Sequence, residues 1–352
     1  MPIESETLPA EVADLALIRI ACDLSLMAWE QMRAFRPLLG ASLDARVVDT
    51  KTSPNDLVTQ ADAQIEALVR GYLSQVRPND LMVGEEGSPA LDPVEFYSAE
   101  ILGRLHAFDA STGGLVDLSD SGPSLEWHVD PIDGTVNFVR GIEHHAFSVG
   151  VCEGSASDGG LGLGRWLIGL VASPGLDATW LAADGLGSYR VDGRLADQFT
   201  AVSDSTAVSD ALPSVGAEDG QAPPSVGAED GQAPAGIPAR RLHGTPAGLS
   251  GRLLATGFAY TGDNRGPQLA KLENLMDGYD DLRRCGSAAI DLCMVAEGRI
   301  NSYAERGLGI YDYAGGAVIV EEAGLLVSRG GSGGPTAAAD SQEEVDRLVA
   351  AI

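Results

Sequence analysis

Residues 127–138 read Trp-His-Val-Asp-Pro-Ile-Asp-Gly-Thr-Val-Asn-Phe. A short apolar run in this stretch ends in two carboxylates, Asp130 and Asp133, three residues apart. Pro131 fixes φ, so the backbone turns sharply between the acids and can aim the carbonyl of Ile132 at the same point. Hard divalent cations such as Mg²⁺ bind through oxygen ligands of this kind. The stretch therefore predicts a strand that ends in a metal site.

The residues after the second acid suit a phosphate group. Gly134 lets the main chain approach a ligand closely, and the amides of Gly134 and Thr135 can donate hydrogen bonds to phosphate oxygens. The alternative is an exposed Asp-Pro-x-Asp-Gly turn, because each of these residue types is common in turns. Other acids of the chain favour the first interpretation.

These other acids also lie at the ends of apolar runs. The run 81–83 leads into Glu85 and Glu86, and Asp312 opens a predicted helix. Each acid has an ordinary explanation, because adjacent glutamates are usually solvated and aspartate is a common helix N-cap. Those explanations do not account for the fact that all these acids lie at the ends of apolar runs. Strands and helices that end at one edge can bring several carboxylates together there.

Length and composition predict a protein with a large core. The chain has 352 residues, 44% of them hydrophobic, which is enough for one large domain or for two packed lobes. We expect two lobes.

The charge of the chain argues against two classes of partner. The formal net charge is −28, and the only lysines are Lys51 and Lys271. Binding to nucleic acid or to an anionic membrane requires clustered Lys and Arg. The sequence therefore predicts neither partner. An anionic substrate would be received by local cations, backbone amides and bound metal.

The cysteines and the N-terminus indicate a cytoplasmic protein. Cys22, Cys152, Cys285 and Cys293 lie far apart and include no Cys-x-x-Cys pair, so neither a zinc site nor a disulfide framework is predicted. The N-terminus is acidic where a secretory signal would be basic, and no run approaches about 18 apolar residues. We expect a soluble protein of the reducing cytoplasm.

Apolar periodicity predicts two helices and a sheet in the N-terminal half. Helical spacing covers about 11–38 and about 60–76, and the run 81–83 is a predicted buried strand. Short apolar runs alternate with glycine-containing turns from 147 to about 189, which is typical of an antiparallel sheet. The intervening segment 88–123 is expected to be peripheral.

A perfect tandem repeat divides the chain. Residues 213–223 recur without change at 224–234, in a segment rich in Pro, Gly and acids. So short a unit does not bury apolar surface as solenoid repeats do, and we interpret it as a duplication in a disordered linker. The predicted units are an N-terminal α+β lobe at 1–200, a linker at 201–240 and a C-terminal α/β lobe at 241–352.

The C-terminal lobe is predicted to be α/β because strands and helices alternate along it. The predicted strands are 252–257 and 300–303, and the predicted helices are 287–297, 312–322 and 343–352.

Five ordered motifs resemble those of the inositol monophosphatase family. They lie at 56–62, 84–86, 130–138, 286–299 and 311–324. The resemblance covers roughly residues 11 to 328, interrupted by insertions at about 88–123 and 203–238. It implies the α/β fold of alternating αβαβα layers shared with fructose-1,6-bisphosphatase-like proteins. It also implies Mg²⁺-dependent hydrolysis of a small phosphate monoester, with inositol monophosphate as the first candidate.

The same resemblance implies roles for individual residues. The implied ligands of two or three Mg²⁺ ions are Glu85, Asp130, the Ile132 carbonyl, Asp133 and Asp312. Glu86 would lie next to these ligands without binding the metal directly. Gly134 and Thr135 would hold the phosphate. The residues implied in catalysis are Asp62, Glu85 and Thr135, with Asp62 beside Thr135 to orient the attacking water. The substrate would be bound by Gly286, Ser287, Ala288 and Glu305. Family members are often homodimers, so a homodimer is also implied.

Some features leave the substrate open. Tyr311 stands where family members commonly carry Trp, and Tyr313 adds bulk beside Asp312, so the wall of the pocket differs. His144 and His145 are interpreted as structural or surface residues. Histidinol phosphate, a nucleotide phosphate and a sugar phosphate remain alternative substrates. A metal-binding regulatory protein that has lost turnover remains an alternative of another class.

Overall fold

The structure is a computed structural model that describes residues 6–39, 48–50, 57–119, 122–154, 162, 164–200, 236–259 and 262–352. The tandem repeat 213–234 and the first residue of the motif at 56–62 lie outside the described residues.

The described strands, in chain order, are β1 (Glu6–Thr7), β2 (Val48–Thr50), β3 (Leu57–Thr59), β4 (Leu81–Val83), β5 (Phe108–Asp109), β6 (Gly114–Leu115), β7 (Leu125–Asp133), β8 (Ala146–Glu153), β9 (Trp166–Ser173), β10 (Ala178–Ala183), β11 (Gly187–Asp192), β12 (Pro238–Arg241), β13 (Leu253–Thr256), β14 (Asp281–Arg283), β15 (Ser302–Arg306), β16 (Leu326–Ser328) and β17 (Pro335–Ala339). The described helices are α1 (Ala10–Ala13), α2 (Ala16–Leu39), α3 (Gln60–Val76), α4 (Pro93–Phe96), α5 (Ala99–Leu102), α6 (Thr135–Arg140), α7 (195–200), α8 (Gly262–Ala270), α9 (Leu272–Leu275), α10 (Ala288–Ala296), α11 (Ile310–Glu322) and α12 (Gln342–Ala351).

Two sheets organise the described part of the chain. The larger has the order β1-β12-β11-β10-β9-β8-β7-β4, and among its described strands β4 with β7 is the only parallel pair. The smaller has the order β14-β13-β15-β17-β16, in which β13 runs parallel to both β14 and β15. The predicted antiparallel sheet at 147–189 is confirmed, because β8, β9, β10 and β11 pair in sequence.

The helices lie in layers between and outside these sheets. Helices α2 and α3 pack on one face of the large sheet, and α10 and α11 fill the space between the two sheets. Helix α12 covers the outer face of the small sheet through Val345 and Leu348. The predicted fold of alternating αβαβα layers is confirmed.

The segment 88–123 contributes to the core, contrary to the expectation that it is peripheral. Leu102, Leu105 and Ala107 are buried in the same apolar cluster as α2. The buried carboxylate of Asp23 in α2 accepts hydrogen bonds from the backbone amides of His106 (2.8 Å) and Ala107 (3.1 Å). The buried Asp23 carboxylate therefore holds this segment against α2 by hydrogen bonds.

Two element boundaries differ from the predicted ones because of hydrogen bonds at helix ends. Helix α11 begins at Ile310, before the predicted start at Asp312, and the Asp312 carboxylate accepts the backbone N–H of Gly309 at 2.6 Å. Asp312 is therefore the third residue of the helix and not its N-cap. Strand β15 starts at Ser302, later than predicted, because the amide of Ile300 still bonds the Met294 carbonyl at the end of α10.

The division into lobes at 1–200 and 241–352 stays a prediction. Strand β12 lies partly inside the predicted linker at 201–240 and pairs with β11 in the large sheet. Residues 238–240 are therefore strand and not linker. Among the described residues no helix combines the length and apolar character needed to cross a bilayer.

Helix α11 approaches the large sheet very closely, and glycines permit it. A Cβ added to Gly169 in β9 would overlap the carbonyl of Gly315 in α11. A Cβ added to Gly150 in β8 would lie 2.7 Å from the Cβ of Ala314. This contact fixes the height of α11 above β7 and β8, and so the position of Asp312 relative to the acids of β7.

We predict that Gly169→Ala destabilises the protein, because the added methyl group would overlap the Gly315 carbonyl and could be accommodated only by moving α11 away from β9. The expected loss is about 1–3 kcal/mol in the free energy of unfolding, measured by urea denaturation. The matched control is Gly114→Ala in β6, where nothing lies within 4 Å of the added Cβ. The control should change stability by less than about 0.5 kcal/mol. Equal stabilities for the two variants would contradict the close-packing argument.

Candidate active site

A cavity of about 380 Å³ brings most of the predicted site residues together. From the predicted set its lining contains Glu85, Glu86, Asp130, Ile132, Asp133, Gly134, Thr135, Gly286, Ala288, Glu305 and Asp312. These residues come from both halves of the chain. Asp62 and Ser287 are buried next to this set and outside the lining.

Strand β7 delivers the two acids that identified the site. All nine of its residues are buried, and its register with β8 shifts between Asp130 and Asp133. Such an irregularity re-aims side chains at the end of a strand. The chain then turns at Gly134, whose φ of +90° is costly for any residue with a Cβ. The Thr135 hydroxyl donates to the Ile132 carbonyl at 3.0 Å, which leaves that carbonyl a second lone pair.

The carboxylates repel one another in a buried setting. Burial raises the pKa of Asp130 well above its usual range, and the nearby Asp133, Asp312 and Glu85 carboxylates raise it further. Burial likewise raises the pKa of Asp312, with Asp133 and Glu85 adding to the effect. Buried anions that share a site are costly unless a cation compensates them. This donor set of hard oxygens fits Mg²⁺.

Asp133 is held by the start of α10. Its carboxylate accepts hydrogen bonds from the Ser287 hydroxyl and the Ala289 amide, each at 2.6 Å. Burial raises the pKa of Asp133 to about 6, although these two hydrogen bonds oppose the increase. The side chain of Ser287 therefore supports an acid. The cavity is lined on either side of it by Gly286 and Ala288.

Glu66 is a supporting residue that sequence reasoning missed. It lies fully buried in α3, and its carboxylate accepts the backbone N–H groups of Glu86 (2.6 Å) and Ser88 (2.9 Å). Arg70 pairs with it at 2.7 Å. Glu66 thereby holds the loop that carries Glu85. The only signal in the sequence was an acid beside Ile65, within an apolar stretch of helix.

Glu305 closes the opposite side of the cavity. The Tyr303 hydroxyl donates to its Oε2 at 2.7 Å. Burial raises the pKa of Glu305 to about 7, while the Tyr303 hydrogen bond and the Arg284 guanidinium oppose the increase. Gly257 faces this carboxylate, and a Cβ there would overlap it. The glycine therefore makes room for Glu305 at the cavity.

The two histidines after the first motif differ. His145 is buried, and its Nδ1 lies 2.8 Å from the Ile142 carbonyl, in agreement with a structural role. The Nε2 atom of His144 lies 3.1 Å from Oδ1 of Asp291, a residue of the cavity wall. Asn137 donates to the carbonyls of His144 (2.7 Å) and Cys285 (2.8 Å) and so ties their two segments together.

The layered α/β sandwich and the acid-lined cavity fit the class of phosphatases built on this fold. The chain belongs to the inositol monophosphatase family, and the model of that family matches residues 20–347.

Named relatives and solved structures agree with this assignment. An inositol-1-monophosphatase of Mycobacterium bovis is 33% identical over 311 residues, which cover 87% of this chain and 81% of that protein. A Nus factor SuhB of Pasteurella multocida is 27% identical and is covered over 73% of its length by 79% of this chain. The structure of Mycobacterium tuberculosis SuhB aligns with a TM-score of 0.59 at 29% identity, covering 96% of this chain and 95% of that one.

We predict that Glu66→Gln weakens the response to divalent metal, because the loop carrying Glu85 loses a charged acceptor for its amides. Loss of such a buried bond should cost about 1–3 kcal/mol of stability. The Mg²⁺ concentration needed for half-maximal phosphate release should also rise. The control is Glu95→Gln in α4, whose side chain is exposed. An unchanged Mg²⁺ requirement in Glu66→Gln would rule out this positioning role.

Proposed function

We propose that the protein hydrolyses a small phosphate monoester in a Mg²⁺-dependent reaction, with inositol monophosphate as the leading substrate. The observation that carries the proposal is the convergence of Asp130, Asp133, Asp312 and Glu85 on one cavity, where burial and mutual repulsion raise the pKa of Asp130 and Asp312. Gly134 and Thr135 line the same cavity beside them.

The residues that would hold two or three Mg²⁺ ions are Glu85, Asp130, Asp133, Asp312 and the Ile132 carbonyl. Bound Mg²⁺ supplies a water of lowered pKa and neutralises charge on the reacting phosphoryl group and leaving oxygen. The family membership supports dependence on a divalent metal, and the oxygen-only donor set supports Mg²⁺ in particular.

The protein groups would position the phosphate and the attacking water. The amides of Gly134 and Thr135 would donate to phosphate oxygens. Glycine is needed for the turn itself, because φ is +90° and a Cβ at Gly134 would lie 2.9 Å from the His144 carbonyl oxygen. Asp62 is buried and lies close enough to Asp130 to raise the pKa of that acid. We assign Asp62, together with Thr135, to orienting the water. Little else is required for phosphoryl transfer, which depends on positioning and charge stabilisation.

The substrate side favours a polyol phosphate. Glu305 offers a carboxylate to hydroxyl groups, and the backbone at Gly286 and Ala288 completes the wall. A cavity of about 380 Å³ suits a small monoester. The name of the Mycobacterium bovis relative points to the same substrate class. If the protein is an enzyme, the main alternative substrate is histidinol phosphate.

A regulatory function without turnover is the alternative of another class. The relative from Pasteurella multocida is named a Nus factor. The acid set of this chain is complete, however, and a protein that no longer used it would be expected to shed such costly buried charges. The net charge of −28 also makes direct nucleic-acid binding unfavourable.

The test of function is phosphate release from inositol 1-phosphate, histidinol phosphate, 3′-phosphoadenosine 5′-phosphate and fructose 1,6-bisphosphate, each with Mg²⁺ and with EDTA. Release from inositol 1-phosphate that EDTA abolishes supports the proposal. Faster Mg²⁺-dependent release from another ester would support the proposed reaction and show that inositol 1-phosphate is not the preferred substrate. Mg²⁺ binding without release from any ester would favour the regulatory alternative.

We predict that Asp130→Asn lowers turnover by at least about a hundredfold, the scale expected for loss of a preorganised charged group. The metal-free variant should be as stable as the unmodified protein or more so, because a buried repulsion is removed. Asp277→Asn removes an exposed charge that does not line the cavity and should leave turnover unchanged. Full activity in Asp130→Asn would exclude the assigned metal site.

We predict that Glu305→Gln affects binding of hydroxylated substrates selectively. The KM for inositol 1-phosphate should rise by roughly tenfold, as for loss of a hydrogen bond to a charged group. The KM for phenyl phosphate, which has no hydroxyl groups to contact, should change little. Equal effects on both substrates would show that Glu305 does not read substrate hydroxyls.

A further inference from the structure

A second cluster of potential metal ligands lies beside the cavity and shares no residue with the acid set. It consists of His144 after α6, Cys285 before α10 and Asp291 within α10. One ligand atom of each lies within 4.8 Å of the others, and the His144 Nε2 to Asp291 Oδ1 distance is 3.1 Å. The nearest two of these residues in sequence are six positions apart, and the third is more than a hundred residues away.

The cluster is both enclosed and reachable. Asp291 is 2% exposed and nevertheless contributes to the cavity wall. The side chain of His144 is 14% exposed, and Cys285 is half-buried. An ion that enters the cavity could therefore reach Asp291 from the open side and meet the imidazole and the sulfur behind it.

The ligand types select a borderline-soft ion. Imidazole nitrogen, thiolate sulfur and carboxylate oxygen are the three donors of protein zinc sites, at about 2.0–2.3 Å from the metal. Tetrahedral geometry at those bond lengths puts ligand atoms about 3.3–3.8 Å apart. The separations within 4.8 Å thus require only small side-chain adjustments. Mg²⁺ would not select this set, because it prefers oxygen ligands.

We propose that His144, Cys285 and Asp291 form a second metal site, selective for Zn²⁺ or a similar borderline-soft ion, on the substrate side of the cavity. Three protein ligands leave a fourth position for water or for a group in the cavity.

The local charges are compatible with this site. Burial and the Asp291 carboxylate raise the pKa of the Cys285 thiol to about 11, so the thiol is protonated when no metal is bound. Metal binding would form the sulfur–metal bond, break the S–H bond and release that proton to solvent. The nearby Arg284 guanidinium works against the increase in the pKa of both Cys285 and Asp291, and so favours the deprotonated forms that bind metal. The carboxylate and the new thiolate together balance the two charges of the ion.

Bound metal would also join two segments that border the substrate. Asn137 already donates to the carbonyls of His144 and Cys285. Gly286, the next residue, lines the cavity. Coordination would add a side-chain link to this backbone link and so reduce the freedom of the cavity wall.

The proposal is tested by titrating Co²⁺ into the metal-free, reduced full-length chain without substrate or Mg²⁺. Cobalt replaces zinc in such sites and gives a near-ultraviolet charge-transfer band only when a thiolate is a ligand. The acid set would also bind Co²⁺ but would give no such band, so we expect the band to account for one bound equivalent at saturation and to be displaced by Zn²⁺. The oxygen-only acid set cannot produce the band, so the result does not depend on the proposed phosphatase reaction.

Variants assign the band to its ligands. Cys285→Ser should abolish it, and His144→Ala should weaken Co²⁺ affinity by more than the roughly tenfold cost of losing an outer partner. Cys152→Ser is the matched control, because Cys152 lies in the other His-, Cys- and carboxylate-containing cluster, with Glu126 and His128. It should keep the band.

Absence of the band in the unmodified protein would overturn the proposal. So would a band that survives Cys285→Ser, or one that disappears in Cys152→Ser. Circular dichroism of Cys285→Ser checks that it is folded. If Cys285→Ser is unfolded, His144→Ala decides, since unchanged Co²⁺ affinity in that variant also contradicts the site.

Discussion

Repulsion among buried carboxylates is the constraint on which the rest of this structure depends. Beyond the effect of burial, Asp133 and Glu85 raise the pKa of both Asp130 and Asp312, and Asp312 also raises the pKa of Asp130. Such a set cannot be kept together by attraction among its members. The surrounding fold must hold each carboxylate against the others, and the supporting contacts show how it does so.

Each acid is fixed by a different element of the scaffold. Asp133 is held by the first turn of α10, Asp312 by the amide of Gly309, and the loop of Glu85 by the buried carboxylate of Glu66. The close contact of α11 with the large sheet, through Gly169 and its neighbours, sets the distance between the two halves of the site. Cations bound among these acids would offset the cost of this arrangement, and metal affinity would then depend on the rigidity of the layers.

Two kinds of donor set lie in and beside the cavity. The acid set offers only oxygen atoms and suits a hard ion, whereas His144, Cys285 and Asp291 offer nitrogen, sulfur and oxygen. Sequence spacing predicted no zinc site, because no two cysteines stand close together. Spacing detects sites whose ligands share one loop. The proposed ligands come from distant segments, and Asn137 ties the chain after α6 to the start of α10.

The sequence by itself located several of the long elements and drew attention to the acids at the ends of apolar runs. Apolar periodicity located α3 at 60–76, and the Asp-Pro-x-Asp-Gly turn identified the end of β7, since both signals are local in the chain. Only the tertiary structure decided which residues support the acids: Glu66 holds the loop of Glu85, and Ser287 holds Asp133. It also decided that part of the segment 88–123 packs against α2. These contacts join residues that are distant in sequence, and their partners are chosen by packing, which no local pattern records.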